Sequence, residues 1–135
     1  MTNQEFLKRI EADHVERAEY LASESESEVR KVLKKLGIRK LEELEDDTWK
    51  RVLHIDESLE TVRRRINEVY YYDEREMPTS DKIGMVAALI DYEQRILVAR
   101  RKLTDDVIRT ITDREKVLIR LEYVKKGGHG GDEEE

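Results

Sequence analysis

Glu11 and His14 are the first residues in the chain with the arrangement of a reactive site. They lie three positions apart, which puts both on one face of a helix, and Glu-x-x-His is the ligand pair of di-iron helical bundles. Such a site needs two copies of the pair and two further glutamates, whereas the sequence holds one copy. We therefore predict no metal and no cofactor, and we expect His14 to be a partly buried, hydrogen-bonded histidine between Ile10 and Ala18.

Arg9 and His14 also match the Arg-x4-His spacing of some helical ribonucleases of the toxin class. Two residues at one spacing carry little information in an arginine-rich chain. The sequence has no Ser/His/Asp arrangement, no glycine loop for phosphates and no carboxylates at magnesium-binding spacing. It therefore predicts that the protein is not an enzyme and takes no small-molecule substrate.

The stretch RRRINEVYYYDEREMP, residues 63–78, has the composition of a protein-binding site. Tyrosine and arginine are both enriched at interface hot spots. Successive helical side chains are about 100° apart, so one of three adjacent tyrosines can complete the core while at least one must face outward. The alternative is structural, because helix ends tolerate exposed aromatics and arginine stems shield apolar seams. The predicted partner-binding residues here are Arg63, Arg64, Tyr70, Tyr71, Tyr72, Asp73, Glu74 and Glu76.

The net charge of −6 is spread unevenly along the 135 residues. Residues 37–78 carry four more acidic than basic side chains, whereas residues 79–126 carry three more basic than acidic ones. A nucleic-acid-binding protein needs a basic footprint, so we predict instead that the partner is a large basic protein surface. The acidic residues after the tyrosines would also repel phosphates, which argues against direct binding of nucleic acid.

Two further acidic groups are predicted to face this partner. The alternative explanation of residues 42–47 is an acidic helix start, which the helix dipole favours. The alternative explanation of the acidic tail is that it only increases solubility. The predicted partner-binding residues in these groups are Glu42, Glu43, Glu45 and Asp46, and Asp132, Glu133, Glu134 and Glu135.

Cysteine is absent and 43% of the residues are charged, a composition typical of hyperthermophile proteins. No apolar run approaches the roughly 20 residues of a membrane span, and the first ten residues lack the apolar core of a signal peptide. The sequence therefore predicts an intracellular protein that does not enter a membrane.

Apolar spacing predicts helices throughout the chain, and no segment has the alternation of a strand. Thr2 and Glu5 have capping-box spacing at the start of the first helix, and the run SESESE at residues 23–28 predicts a kink or a solvated turn. A second helix is predicted to start after residue 46 or 47 and to end at Pro78. Its apolar seam consists of Val52, Ile55, Leu59, Val62, Ile66 and Val69.

Thr79 or Ser80 is predicted to cap a third helix, and the many apolar residues around its circumference predict that it is the most buried. LTDD at residues 103–106 either caps a fresh helix or continues the third one. The predicted architecture is an all-α fold, an antiparallel four-helix-type bundle with one extra short helix over residues 1–126. Residues 127–135 have too little apolar surface to order themselves, so a flexible acidic tail is predicted.

Residues 32–53, VLKKLGIRKLEELEDDTWKRVL, resemble the first half of a helix-hairpin-helix element. In that family the backbone at the hairpin glycines grips a DNA phosphate, which makes a DNA-binding module built on Gly37 an alternative function. The second glycine hairpin that usually completes the pair is missing. The same pattern also serves a tight turn between helices, with Gly37 just past a helix end.

The whole layout is similar to the small helical-bundle proteins of archaeal viruses from hot acidic springs, and most closely to a paralogous pair from the Acidianus two-tailed virus. The similarity rests on the charged, cysteine-free chain, the order of helices, the joint NEVYYYDEREMPTSDK and the acidic glycine tail. It carries no catalytic or ligand signature.

One member of that pair is a virion structural protein, and the other binds the DNA-binding channel of the host RNA polymerase and inhibits transcription. The resemblance therefore implies a non-enzymatic inhibitor of host RNA polymerase in the host cytoplasm. The alternative it implies is a structural or assembly component of the virion.

Overall fold

The computed structural model describes residues 2–33 and 38–125, and within them the chain forms three long helices. Two π-helical segments, Glu11–Glu16 and Lys102–Ile108, join neighbouring α-helices without a break, so residues 3–33 and residues 79–125 are each continuous. The all-α prediction is confirmed, whereas the predicted count of four main helices is replaced by three. The α-helices are α1 (Asn3–Ile10), α2 (Arg17–Leu33), α3 (Ile38–Tyr70), α4 (Thr79–Arg101) and α5 (Arg109–Lys125).

Side-chain contacts between the long helices fix their directions. As the residue numbers rise along residues 3–33, the numbers of their contact partners in α3 fall, so these two helices run antiparallel. The same relation holds between α3 and residues 79–125. The described residues therefore form an up-down-up bundle in which the first and third long helices are parallel. The contacts are His14 with Ser58, Ser25 with Thr48, Arg63 with Glu93, and Glu45 with Thr112.

One apolar core runs along the axis of this bundle. The seam predicted for the second helix is confirmed, because each of its six residues is buried in α3 or packed against the core. The third long helix contributes a stripe of its own, which consists of Met85, Leu89, Ile96, Ala99, Leu103, Val107, Ile111 and Leu118.

The π-helical segments keep these apolar stripes on one side of each long helix. Ile10 and Val15 are both buried although they are five positions apart, a spacing that would place them about 140° apart around an ideal α-helix. The wide turns of Glu11–Glu16 absorb the extra residue. Residues 99, 103, 107 and 111 are buried at successive spacings of four, which would drift by about 40° per step, and Lys102–Ile108 corrects that drift in the same way.

Several helix boundaries predicted from the sequence are wrong. Helix α3 begins at Ile38, so neither residue 46 nor residue 47 is its N-cap. It ends at Tyr70 rather than at Pro78, and the turn that follows buries the side chain of Met77. Pro78 itself, rather than Thr79 or Ser80, is the N-cap residue of α4. The predicted cap of the first helix is confirmed, since the backbone N–H of Glu5 donates to Thr2 Oγ1 at 3.1 Å.

The serine run at residues 23–28 is helical, so the solvated turn that was one of the two predictions for this run is absent from α2. Ser25 is fully buried, and its hydroxyl lies 3.1 Å from the Thr48 hydroxyl of α3. Thr48 also donates to the carbonyl of Leu44 at 2.7 Å. The buried hydroxyls are thus hydrogen-bonded to each other, which removes the penalty that an unpaired buried polar group would carry.

The prediction that the third helix is the most buried is wrong for one of its faces. Helix α4 buries the stripe described above, but the apolar side chains of Ile83, Ile90 and Val98 are exposed. The helix is therefore apolar both toward the core and toward the solvent.

Candidate partner-binding surfaces

Most charged side chains at the helix contacts are paired with each other. Arg95 of α4 binds two carboxylates of the first long helix, Glu11 at 2.6 Å and Glu19 at 2.8 Å, and these hydrogen bonds raise its pKa above the ordinary value. Arg100 binds Asp56 of α3 at 2.6 Å, which likewise raises the arginine's pKa. Arg51 of α3 bridges two glutamates of α2 in the same manner. These ion pairs join the neighbouring long helices to one another.

The N-terminal part of α3 departs from this pattern. Two of its carboxylates, Glu42 and Glu45, lie close to Glu115 of α5, and the remaining ones are exposed on the same two turns of α3. We call this group the acidic surface. Among the side chains that the structure describes, none of these carboxylates has a basic nitrogen within 4 Å. The acidic surface consists of Glu42, Glu43, Glu45, Asp46, Asp47 and Glu115.

The helix dipole does not explain this accumulation of charge. The dipole favours acidic side chains within the first turn of a helix. Because α3 starts at Ile38, Asp46 and Asp47 lie in its third turn, beyond that range. The alternative interpretation of residues 42–47 as a dipole-favoured helix start therefore loses its basis.

Glu115 shows the electrostatic cost of the acidic surface. Partial burial raises the pKa of its carboxyl above the ordinary value, and the neighbouring charges of Glu45 and Glu42 raise it further. A hydroxyl donates to this cluster, Thr112 Oγ1 to Glu45 at 3.1 Å, but it brings no positive charge. The acidic surface is thus a place where added positive charge lowers the free energy.

Replacing Glu115 by glutamine is expected to stabilise the protein at about pH 7. The folded state raises this pKa, so the stability linked to Glu115 is present at low pH and is lost as the pH rises through the raised value. The melting temperature of Glu115→Gln should therefore be higher than that of the wild type at neutral pH, and this difference should vanish at about pH 3.5. Asp113→Asn, an exposed carboxylate of the same helix outside the cluster, is the control that should not reproduce this pattern.

The tyrosines form a second, separate surface at the C-terminal end of α3. The side chains of Tyr70 and Tyr71 are 62% and 75% exposed, and their rings meet edge to face with centroids 5.1 Å apart. Tyr72 is half-buried and packs against the core. One tyrosine thus packs against the core and two face outward, which agrees with the prediction that at least one must do so.

The other predicted residues at this end make contacts within the chain. Arg63 donates to Glu93 of α4 at 2.6 Å, and Arg64 to Glu60 one helical turn away at 3.3 Å. In the turn, Asp73 accepts from the backbone N–H of Arg75 at 3.3 Å and Glu74 from the Thr79 hydroxyl at 3.1 Å; Glu76 is exposed.

The structure does not bring all the predicted site residues together. From Glu45 to Tyr70 the helix α3 rises by about 38 Å, at about 1.5 Å per residue. The acidic surface and the tyrosines are therefore two separate surfaces. Glu115 was missed in the sequence analysis, because only the register between α3 and α5 brings it beside Glu42. The predicted site residues Asp132, Glu133, Glu134 and Glu135, and the Gly37 turn, lie outside the described residues.

A polar cleft of about 320 Å³ surrounds His14. The ring Nδ1 of His14 lies 3.5 Å from the Ser58 hydroxyl, and burial lowers the pKa of the imidazole. His14 is thus the half-buried, hydrogen-bonded histidine that the sequence predicts, while Glu11, its predicted helical neighbour, binds Arg95. Within residues 2–33 and 38–125, no three histidine, aspartate or glutamate side chains converge as metal ligands.

Comparison with protein-family models, with curated proteins and with solved structures finds no match to this chain. The similarity to the archaeal viral proteins therefore stays a prediction. In the part of the chain that the structure describes, every helix is too short or too polar to cross a membrane.

Proposed function

We propose that this protein is a non-enzymatic interaction protein that docks its acidic surface on a basic surface of a large partner. The observation that carries the proposal is the cluster of carboxylates on α3 and α5 that have no basic partner among the described side chains, where partial burial and then the charges of Glu45 and Glu42 raise the pKa of Glu115. Lysine and arginine side chains of a partner would offset the repulsion among these carboxylates.

A more specific form of the proposal is that the partner is a host RNA polymerase, whose DNA-binding channel the protein occupies to inhibit transcription. The support is twofold. A channel that holds DNA is lined with lysine and arginine, which an exposed acidic surface complements. The resemblance to the viral paralogues independently implies the same partner. The tyrosines are not part of this docking surface, because about 38 Å of helix separates them from it.

A binding assay with purified archaeal RNA polymerase tests the proposal. We expect the protein to co-purify with the polymerase at about 0.1 M salt, to dissociate as the salt approaches about 1 M, and to inhibit run-off transcription over the same range. Binding that is indifferent to salt, or binding without inhibition, would contradict the polymerase form of the proposal. A truncation after Lys126 separates the contribution of the acidic tail from that of the acidic surface.

A structural or assembly role in a virion is the second candidate function. The observation that favours it is the exposed apolar face of α4, since assembly proteins bury such faces against copies of themselves. This role predicts that the protein forms open-ended assemblies, or that it is recovered from purified virus particles. Failure to inhibit transcription combined with either of those results would favour it over the polymerase proposal.

A further inference from the structure

Helix α4 carries an apolar stripe on the side that faces away from the core. Ile83, Ile90 and Val98 are 65%, 44% and 59% exposed, and Ala87 and the polar Gln94 lie on the same line. Their spacings of four, three, four and four residues keep them within one third of the helix circumference. A helix on the surface of a bundle normally presents polar residues on this side. The stripe is therefore unexplained by the packing of a single chain.

A groove of about 290 Å³ continues the stripe toward the end of α3. Its lining side chains are apolar except that of Lys82, whose amine donates to the carbonyl of Tyr72 at 2.6 Å and leaves its aliphatic stem beside the groove. Tyr70 forms one wall, and Ile83, Val86 and Ile90 form the other. The groove thus offers space for an apolar side chain from another molecule.

Gly84 lies on the outer surface of α4, about 100° around the helix from Ile83. It lies within the span of the helix, where glycine is less favourable than alanine, and a Cβ atom built on it would meet nothing within 4 Å. No contact inside the chain therefore requires this glycine. Together with Ala87 it leaves a low strip on the outer surface of α4, into which the side chains of a second helix can fit.

The size of this surface matches a protein–protein contact. The exposed parts of Tyr70, Tyr71, Ile83, Ile90 and Val98 amount to on the order of 600 Å², at the upper limit of what monomeric soluble proteins leave uncovered. A stable interface buries about 800 Å² on each partner, which the stripe and its polar rim together approach. The tail at residues 127–135 has no apolar side chain and cannot cover the stripe.

We propose that the occupant is a second copy of this chain, with the two α4 helices packed antiparallel about a two-fold axis near Ile90. The charges at the ends of the stripe are complementary in this arrangement. Asp73, Glu74 and Glu76 outnumber Arg75 in the turn that precedes α4, and Arg101 lies at the other end of the helix. Antiparallel pairing sets the acidic turn of each copy at the level of Arg101 of the other, whereas parallel pairing sets like charges together.

The neighbours of Arg101 show why this arginine is available. Three basic residues follow one another here, and two of them bind carboxylates within the chain: Arg100 binds Asp56 and Lys102 binds Glu26. Arg101 is exposed, and it has no carboxylate within 4 Å among the side chains that the structure describes. The acidic surface on α3 and α5 stays uncovered in this dimer, so the dimer and the proposed function can fail separately.

Light scattering coupled to size exclusion tests the dimer. We expect wild type to have twice the 16.1 kDa mass of one chain at roughly 100 µM, and Ile90→Glu to weaken self-association about 100-fold or more, because it buries an unpaired charge. Leu53→Glu, a largely exposed apolar position on α3 outside the stripe, is the matched control and should leave the dimer intact. Helical circular dichroism spectra of each variant confirm that it is folded.

A charge exchange tests the antiparallel orientation. Arg101→Glu should weaken the dimer about 10-fold, and adding Glu76→Arg should restore it, because the two positions face each other across the axis. A mass of 16.1 kDa at every concentration would show a monomer and overturn the proposal. The occupant of the stripe would then be a different protein. Open-ended oligomers, or a dimer that Ile90→Glu leaves unchanged, would overturn the two-fold arrangement through α4.

Discussion

Reversing three charges of the acidic surface, with Glu42→Lys, Glu43→Lys and Asp46→Lys combined, is expected to lower the affinity for RNA polymerase about 100-fold at low salt. Each substitution removes one attraction to the basic channel and introduces one repulsion. These side chains are exposed and without a basic partner among the described side chains, so the reversal breaks no observed ion pair of the folded protein. The loss should therefore appear in binding and not in stability.

A matched triple variant separates the effect of where the charges lie from the effect of the net charge. Glu5→Lys, Asp13→Lys and Glu16→Lys also reverse three exposed carboxylates, but all of them lie on the first long helix, outside the acidic surface. Fluorescence anisotropy with labelled protein gives the dissociation constant of each variant. Equal losses in the two triple variants would mean that only net charge matters, which contradicts a defined docking surface.

Leu89→Ala is expected to destabilise the protein by about 3 kcal/mol, the largest effect of a single truncation that we predict. Leu89 is fully buried in the middle of α4, where the buried apolar residues of the third long helix meet the apolar seam of α3. The substitution removes apolar contacts and leaves a cavity that a close-packed core fills only in part. Urea denaturation followed by circular dichroism gives the change in the free energy of unfolding.

The same substitution at Leu53 is the control for this prediction. Leu53 lies in the middle of α3 but is largely exposed, so Leu53→Ala is expected to change the free energy of unfolding by no more than about 0.5 kcal/mol. Similar losses at the two positions would show that the bundle is packed differently from the arrangement described above.

Apolar spacing was sufficient to predict the helical fold and the seam of α3. The boundaries were not predictable in the same way, because capping preferences are worth about 1 kcal/mol and tertiary packing outweighs them. Asp46 and Asp47 are good N-caps by type, yet residues 38–45 before them are compatible with helix and α3 runs straight through. Within the serine run of α2, the buried hydroxyl of Ser25 has its partner in Thr48, whose position across the bundle cannot be read from local sequence.

The number of helices was missed for a related reason. The sequence around residues 103–106 suited either a cap or a continuous helix, and the apolar residues at spacings of four were the signal for the wide turns that the structure shows. A spacing of five between Ile10 and Val15 carried the same signal in the first long helix. Departures from the alternating spacings of three and four between apolar residues can thus mark π-helical segments as well as helix ends.

The candidate surfaces were predictable by residue type but not by location. That at least one of the three tyrosines is exposed was predictable from residue type, but which ones are exposed was not, because α3 ends at Tyr70 and the helical angle does not apply to Tyr71 and Tyr72. Two findings required the bundle itself: that about 38 Å separates the tyrosines from residues 42–47, and that Glu115 joins the acidic group. The apolar outer face of α4 was mistaken for burial, because composition does not distinguish a central helix from one that packs against another molecule.

Carbodiimide cross-linking followed by mass spectrometry tests the central claim most directly, because this reagent joins carboxylates to lysines in direct contact. In a mixture with purified RNA polymerase, we predict that Glu42, Glu43 and Asp46 become linked to lysines that line the DNA-binding channel, and that about 1 M salt suppresses these links. Links that arise only from carboxylates elsewhere on the bundle, or no links at low salt, would contradict the claim that this surface is where the protein binds.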